Sequence, residues 1–226
     1  MDSHKLETAI KYEFKNKDLL REALTHRSYL NENSSWKSSH NERLEFLGDA
    51  VLELVVTEIL FQKYPKEHEG VLTTYRAALV NYVMLAEVAK EFHLEKFLLL
   101  SRGEAKDTGR ARDVILANAF ESLTGAIHLD GGYEKAQSFI KRFVMPHLKE
   151  VIEKGLFRDA KSLLQEKTQA ELKLTPTYKV LSEEGPDHKK VFTVGVYFGE
   201  KLAATGHGQA KQDAEVEAAK KALQTL

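Results

Sequence analysis

The chain of 226 residues contains no cysteine. That absence excludes disulfide bridges, thiolate zinc sites, cysteine-ligated iron–sulfur clusters and cysteine nucleophiles. Long apolar runs are also lacking. No stretch approaches the roughly 18 apolar residues of a membrane-spanning helix, and the first residues, MDSHKLETAIKYEF, have no apolar signal core. We therefore expect a soluble cytoplasmic protein with no membrane partner.

The sequence also lacks an excess of charge of either sign. Lys and Arg total 33 and Asp and Glu total 34, for a net charge of -1. Bulk charge therefore gives no support to nucleic-acid binding, and any such role must depend on local placement of basic residues. The hydrophobic fraction of 42% is sufficient for a packed core, and the length fits one large domain or two modest ones.

Proline is scarce, with four residues in the chain, and the first 155 residues repeat apolar side chains at helical spacing. The spacing predicts helices over DLLREALTH (from Asp18) and residues 41–64, 71–92, 113–129 and 133–154. After residue 156 a helix over 159–172 precedes alternating runs that start at Thr177, Lys189 and Glu200, and a helix over 210–226 follows. The fold class is therefore mainly α: an all-helical domain over 1–155 and a small α+β module (α-β-β-β-α) over 156–226.

Acidic residues line one face of the second of these helices. Glu42, Glu45 and Asp49 are spaced by three and four residues, which places them on one stripe. Gly48 lies mid-helix, where glycine destabilises a helix by about 1 kcal/mol relative to alanine, and this indicates close approach of another backbone. For the three carboxylates alone, a solvated acidic face is an equally good interpretation.

A second pair of oxygen-bearing side chains, Asn118 and Glu121, is three residues apart on another predicted helix. Two helices that present oxygen ligands to a common point would bind a hard divalent cation such as Mg²⁺. Such a cation lowers the pKa of bound water and stabilises charge on a phosphate. A di-iron bundle would need Glu-x-x-His on each of two helices, a pattern that His40 and His128 do not provide.

The block NERLEFLGDAVLEL, from Asn41 to Leu54, resembles the signature helix of the ribonuclease III family of double-strand-specific endoribonucleases. The similarity extends to ALTHRSY (from Ala23), EGVLTTYRAALVN (from Glu69) and ILANAFESLTGAIHLDGGY (from Ile115), and the C-terminal module resembles a double-stranded-RNA-binding domain. The resemblance implies a homodimer that uses Mg²⁺, or Mn²⁺ in its place, and no small-molecule cofactor. It would cleave double-stranded RNA, in rRNA and mRNA precursor processing, to 5′-phosphate and 3′-hydroxyl ends with short 3′ overhangs.

The resemblance also assigns roles to particular residues. The metal-binding positions of the family fall on Glu45, Asp49, Asn118 and Glu121, of which Asp49 and Glu121 are the catalytic pair. Glu42 and Glu69 fall on acidic positions near the RNA. Phe46 matches an aromatic residue that packs into the partner subunit, although the sequence alone favours an ordinary core phenylalanine.

Asn118 departs from the family pattern, which usually has aspartate there. An asparagine oxygen can bind a hard cation, but it is neutral, so the site loses one negative charge. A tolerated natural variant, a natural loss of activity and an engineered substitution all remain open. The main alternative is thus a catalytically impaired double-stranded-RNA-binding protein on the same fold, and a third is a scaffold subunit of a ribonucleoprotein.

The C-terminal module carries residues suited to the shape-based recognition of double-stranded RNA. Gln165 and Gln169 lie four apart on one helix face, where their amides can contact sugar hydroxyls. His188 lies in the turn between the first two strands, and Lys211 lies near the N-terminus of the last helix, where the dipole favours phosphate. The family often has a second lysine where this chain has Gln212, which lowers the expected RNA affinity or its salt dependence.

Overall fold

The computed structural model describes residues 3–153, 160–186 and 190–226. The chain divides into two compact units, Met1–Phe157 and Arg158–Leu226. Within the described residues, no helix has both the length and the apolar character required to cross a bilayer.

The described part of the first unit is built of α-helices, as the apolar spacing predicts. The helices are α1 (Ser3–Ile10), α2 (Lys17–Ala23), α3 (Arg27–Glu32), α4 (Glu42–Lys63), α5 (Glu69–Val80), α6 (Tyr82–Glu91), α7 (Arg110–Gly131), α8 (Tyr133–Phe143) and α9 (Leu148–Glu153). The predicted helices over 41–64 and 113–129 correspond to α4 and α7. These two long helices pack against each other more extensively than any other pair in the described unit.

Two of the segments predicted as single helices are interrupted in the structure, so the prediction of one continuous helix is wrong for each. The segment 71–92 is broken at Asn81, whose backbone is extended and whose side chain accepts a hydrogen bond from the Met84 N–H to start α6. The segment 133–154 is interrupted by a short 3₁₀ turn, Met145–His147, which contains Pro146, because proline cannot continue a helical hydrogen-bond ladder. Both breaks lie inside continuous apolar patterns, so periodicity alone did not reveal them.

Close contact of two backbones sets the packing of α4 on α7. A Cβ added at Gly48 would lie 1.8 Å from the Glu121 carbonyl oxygen, and one at Gly125 would lie 2.3 Å from the Leu44 carbonyl oxygen. Only glycine permits this approach at the two positions. The close approach predicted from Gly48 is therefore confirmed, and its partner is α7.

Apolar residues of several helices fill the core around this contact. On α7, Leu116, Phe120 and Leu123 are almost fully buried. The ring of Phe120 stacks on that of Phe139 at 5.2 Å, which joins α8 to the same core. Helix α7 therefore contacts α4 through its glycine and the rest of the unit through aromatic packing.

The second unit has the predicted α-β-β-β-α order. Its elements are α10 (Ala160–Leu172), β1 (Pro176–Glu184), β2 (Val191–Phe198), β3 (Lys201–Gly208) and α11 (Lys211–Leu223). The three strands form one antiparallel sheet in sequence order. Alanines of α11 pack with Leu164 and Val196 in a small core, and this order confirms the mainly α fold class with an α+β second part.

Candidate active site

Helix α4 presents the three carboxylates along one side of its first half. Glu42 and Asp49 are exposed and Glu45, between them, is half-buried. Their neighbours Leu44 and Gly48 are buried against the core, which fixes the direction of the carboxylate face. The predicted acidic stripe therefore exists and lies beside the α7 contact.

Helix α7 brings Asn118 and Glu121 to the same place. Both are half-buried, in the middle of a helix that is otherwise buried from Ile115 to Ile127. Because the Glu121 backbone touches Gly48, its side chain starts next to the turn of α4 that carries Asp49. The structure thus brings together the residues that the resemblance assigns to metal binding.

The carboxylates influence one another electrostatically. Burial, together with the nearby charges of Asp49 and Glu45, raises the pKa of the Glu121 carboxyl to about 8. Burial and the charges of Glu42 and Asp49 also raise the pKa of Glu45, while a hydrogen bond from the Asn118 side chain lowers it. Negative charge is thus concentrated where the two helices meet.

The Asn118 side chain is near enough to Glu45 to lower the pKa of that carboxyl through hydrogen bonding. Since Asn118 is neutral, its amide stabilises the Glu45 carboxylate in a place where an aspartate would repel it. The asparagine therefore relieves part of the repulsion at the site, and its oxygen remains a possible ligand for a hard cation.

These side chains fit the chemistry of a divalent cation, which takes oxygen ligands and neutralises clustered carboxylates. Among the described residues, however, no group of three or more His, Asp and Glu side chains is already arranged to hold a metal ion. Glu45, Asp49 and Glu121 are thus close enough to influence one another electrostatically, but they do not already enclose a metal position. A cation that keeps several of its waters, as Mg²⁺ does, suits such an open site.

The two accessory acids, Glu42 and Glu69, each interact with a residue outside the carboxylate cluster. Glu42 is within 3.5 Å of the Arg27 guanidinium. Glu69 begins α5, where it accepts a hydrogen bond from the Thr73 hydroxyl at 3.0 Å. Glu69 is carried by α5, whereas the other acids of the predicted site are on α4 and α7. The i, i+4 spacing of Glu69 and Thr73 could have predicted this contact.

In the second unit, Gln165 and Gln169 are both exposed on one face of α10, as their spacing predicts. Lys211 is the first residue of α11, and its ammonium lies 3.1 Å from a Glu183 carboxylate oxygen. The sequence offered no local signal for that ion pair, because Glu183 is on β1. His188 lies outside the described residues.

Comparison with known proteins identifies both units. Residues 16–148 match the ribonuclease-III-like family, and residues 160–226 match the double-stranded RNA binding motif. The chain belongs to the ribonuclease III family. As a ribonuclease III-type endoribonuclease, it combines a nuclease unit with a unit that binds double-stranded RNA, and its family is generally metal-dependent.

Relatives in several bacteria are similar over nearly the whole ribonuclease III chain. Ribonuclease 3 of Carboxydothermus hydrogenoformans is 47% identical over 98% of this chain and 94% of its own length. Ribonuclease 3 of Borreliella burgdorferi is 44% identical over 95% of this chain and 87% of its own length. The solved nuclease domain of ribonuclease III from Campylobacter jejuni is 46% identical, with a TM-score of 0.59, and covers 64% of this chain and 97% of that one.

Phe46 lies on the surface of this ribonuclease III chain, with 82% of its side chain exposed. The interpretation as an ordinary core phenylalanine is therefore wrong: its neighbours Leu44 and Gly48 face the core, so Phe46 points outward. A cavity of about 640 Å³ adjoins it, lined also by Leu47 and Leu129. Leu129 is itself 56% exposed, and the two side chains form an apolar surface with no cover in the described residues.

The raised pKa of Glu121 predicts a pH-dependent effect on stability. In the absence of metal, ionisation of Glu121 opposes folding as the pH rises above the ordinary value of 4.5, and this penalty grows up to about pH 8. Glu121→Gln should therefore raise the free energy of unfolding, by about 1 kcal/mol at pH 5 and by about 4 kcal/mol at pH 8. Urea unfolding in EDTA at several pH values measures this gain. Glu53→Gln, at an exposed carboxylate of α4, is the control, and a gain that is the same at every pH would contradict the prediction.

Proposed function

We propose that this chain is a Mg²⁺-dependent ribonuclease III that cleaves both strands of double-stranded RNA, as in the processing of rRNA and mRNA precursors. The observation that carries the proposal is the contact of α4 with α7, which places Glu121 in the field of Asp49 and Glu45. A phosphodiester hydrolase needs such a site to bind a cation that stabilises the negative charge on the scissile phosphate. Oxygen ligands alone suffice for this, so no small-molecule cofactor is required.

Glu45, Asp49, Asn118 and Glu121 are the residues that would hold Mg²⁺, or Mn²⁺ in its place, since both cations prefer oxygen ligands. When bound, the cation supplies electrostatic stabilisation of the phosphate and a lower pKa of a bound water. We assign the direct contacts with the reacting groups to Asp49 and Glu121. Without a cation, Glu121 retains its proton through most of the neutral range because its pKa is about 8. It must lose that proton to act as a ligand.

The remaining acids and amides hold the reacting groups and the substrate in place. The Asn118 amide favours the ionised form of Glu45, since it lowers the pKa of that carboxyl. Glu42 and Glu69 would lie near the RNA at the edges of the site. Attack of water on the scissile phosphorus with departure of the 3′ oxygen leaves 5′-phosphate and 3′-hydroxyl ends. Two sites that act at offset positions on the two strands would leave short 3′ overhangs.

Cleavage of a long labelled RNA duplex in Mg²⁺ tests the active site. The chain as given should cleave the duplex. Glu121→Ala should cleave it at least about a hundredfold more slowly, because the substitution removes a proposed metal ligand that lies near Asp49. Binding of the duplex in Ca²⁺ should be unchanged. Asp113→Asn is the matched control, because Asp113 is a carboxylate of the same helix that pairs with Lys90 at 2.8 Å.

The same assay with Asn118→Asp decides between the enzyme and the alternative. Because Asn118 already contacts Glu45 and can offer its oxygen, we expect the chain as given to cleave at a rate within about tenfold of Asn118→Asp. If only the aspartate variant cleaves, the chain is the catalytically impaired double-stranded-RNA-binding protein instead.

We propose that two copies pair through the apolar surface formed by Phe46 and Leu129. The nuclease domain from Campylobacter jejuni has a region involved in dimer formation, and a homodimer would present one active site to each strand of a duplex. A phenylalanine exposed by 82% on one copy could fill the cavity of about 640 Å³ beside the same surface on the other. Self-complementary contacts of this kind are typical of two-fold dimers.

Phe46→Ala should therefore weaken the dimer. Loss of two buried phenylalanines per dimer removes about 4 kcal/mol of apolar burial, which corresponds to a dissociation constant about a thousandfold higher. Sedimentation equilibrium of the full chain measures this constant. Leu181→Ala, at an exposed leucine of the second unit, should leave it unchanged. A Phe46→Ala chain that stays dimeric at nanomolar concentration would exclude this interface.

In the second unit we propose that Gln165 and Gln169 contact sugar hydroxyls, that Lys211 contacts a phosphate, and that His188 probes a minor groove. Support for Lys211 comes from its place at the start of α11 and its side-chain exposure of 56%. Its ion pair with Glu183 must give way to the RNA phosphate. The lysine therefore exchanges one anionic partner for another on binding.

Lys211→Ala should weaken binding of unrelated duplexes alike and should reduce the slope of log affinity against log salt by about 1. Fluorescence anisotropy over a range of salt concentrations measures both quantities. Lys221→Ala, which removes a lysine from the last turn of the same helix that pairs with Glu217, should leave the slope as it was. An unchanged slope in the Lys211→Ala chain would remove this phosphate contact from the proposal.

A further inference from the structure

A single buried hydroxyl connects α4 to α7 beside the proposed active site. The Ser122 hydroxyl lies 2.7 Å from the Asn118 carbonyl oxygen and 3.2 Å from the Asn41 carbonyl oxygen. Its residue has no exposed surface. Because a hydroxyl has one hydrogen to donate, the carbonyls of the two helices share it, and the contact with Asn118 is the shorter one.

The Asn41 end of this link belongs to the turn that carries Glu45. The Asn41 carbonyl accepts the Glu45 backbone N–H at 2.9 Å, and the Asn41 N–H donates to the Thr25 carbonyl at 2.9 Å. Asn41 is itself buried. A displacement of Asn41 would therefore move the start of α4 and with it the Glu45 side chain.

The other end belongs to the turn of α7 that carries two of the proposed ligands. Ser122 follows Glu121 directly, and its second partner is the backbone of Asn118. The glycine contact fixes α4 to α7 at Gly48 and Gly125, whereas the Ser122 hydroxyl fixes them nearer the start of α4. Two fixed points determine both the separation and the relative rotation of the helix segments that carry the ligands.

A hydrogen bond within its own helix explains only one of the two contacts of the Ser122 hydroxyl. Serine and threonine hydroxyls in helices commonly bond the carbonyl four residues earlier, and Thr124 does so to Phe120 at 2.9 Å on this same helix. Thr124 has no exposed surface either. The Ser122 hydroxyl differs by its second contact, which reaches Asn41 on another element.

We propose that Ser122 is a positioning residue that sets the distance from Glu45 to Asn118 and Glu121 and thereby the affinity of the site for its divalent cation. The inference rests on the proposed function, since it concerns the same site. The Ser122 hydroxyl bonds backbone carbonyls, so we assign it no contact with the reacting groups. It acts through the backbones of Asn41 and Asn118, and residues that orient metal ligands in this indirect way commonly change metal affinity when they are replaced.

The test compares Ser122→Ala with Thr124→Val in the full chain. Each substitution removes one buried hydroxyl of α7 and leaves the side-chain volume nearly unchanged, but only the first breaks the link to α4. Binding of Mn²⁺ alone, measured by electron paramagnetic resonance without RNA, should weaken about fivefold to tenfold in Ser122→Ala and stay within about twofold in Thr124→Val. In cleavage assays the Mg²⁺ concentration for half-maximal rate should rise by the same factor, with a nearly unchanged rate at saturating Mg²⁺.

Ser122→Cys supplies a second variant, because its thiol is a weak donor of similar size and should restore part of the affinity. Unchanged Mn²⁺ affinity in Ser122→Ala, alongside loss of Mn²⁺ binding in Glu121→Ala, would overturn the inference and leave the proposed function standing. Unchanged Mn²⁺ affinity in Glu121→Ala would overturn the proposed function itself. Equal weakening in Ser122→Ala and Thr124→Val would show a general loss of packing, and the inference would then be wrong.

Discussion

The contact of two helix backbones at Gly48 and Gly125 is the constraint on which the nuclease unit depends. With any larger residue at either position, a Cβ atom would collide with a carbonyl oxygen of the opposite helix. The contact joins the longest helices of the described unit and brings Asp49 and Glu121 together as a direct consequence. The aromatic packing of Phe120 then attaches this helix pair to the rest of the core. The active site is therefore a product of helix packing, with its ligands on rigid elements rather than on loops.

This packing concentrates negative charge, and the protein manages the resulting repulsion in three ways. Glu121 takes up a proton, since its pKa rises to about 8. The Asn118 amide donates to Glu45 in place of a further carboxylate. The Arg27 guanidinium lies within 3.5 Å of Glu42, at the edge of the acidic face. A divalent cation would neutralise the Glu121 carboxylate in place of its proton. Metal binding and the release of this proton are therefore coupled.

Much of the fold could be predicted from the sequence because its signals are local. Apolar periodicity predicted α4 and α7, and strand-forming residues between turns predicted the three-stranded sheet of the second unit. The prediction failed where a local pattern was interrupted without a change in apolar spacing. At Asn81 the side chain caps a new helix, and at Pro146 the ring prevents the ladder from continuing. Capping and steric effects of single residues outweighed the periodic pattern at both places.

The sequence by itself determined which residue types stand at the candidate site: the carboxylates at helical spacing, the glycine among them and the unusual Asn118. It could do so because spacing along one helix fixes which side chains share a face. Only the tertiary structure decided that Phe46 is exposed rather than buried, that Lys211 pairs with Glu183, and that Ser122 bonds to Asn41. Each of these depends on a partner or a direction set by the packing of separate elements. Such distances between elements are not encoded in the spacing of residues along any one of them.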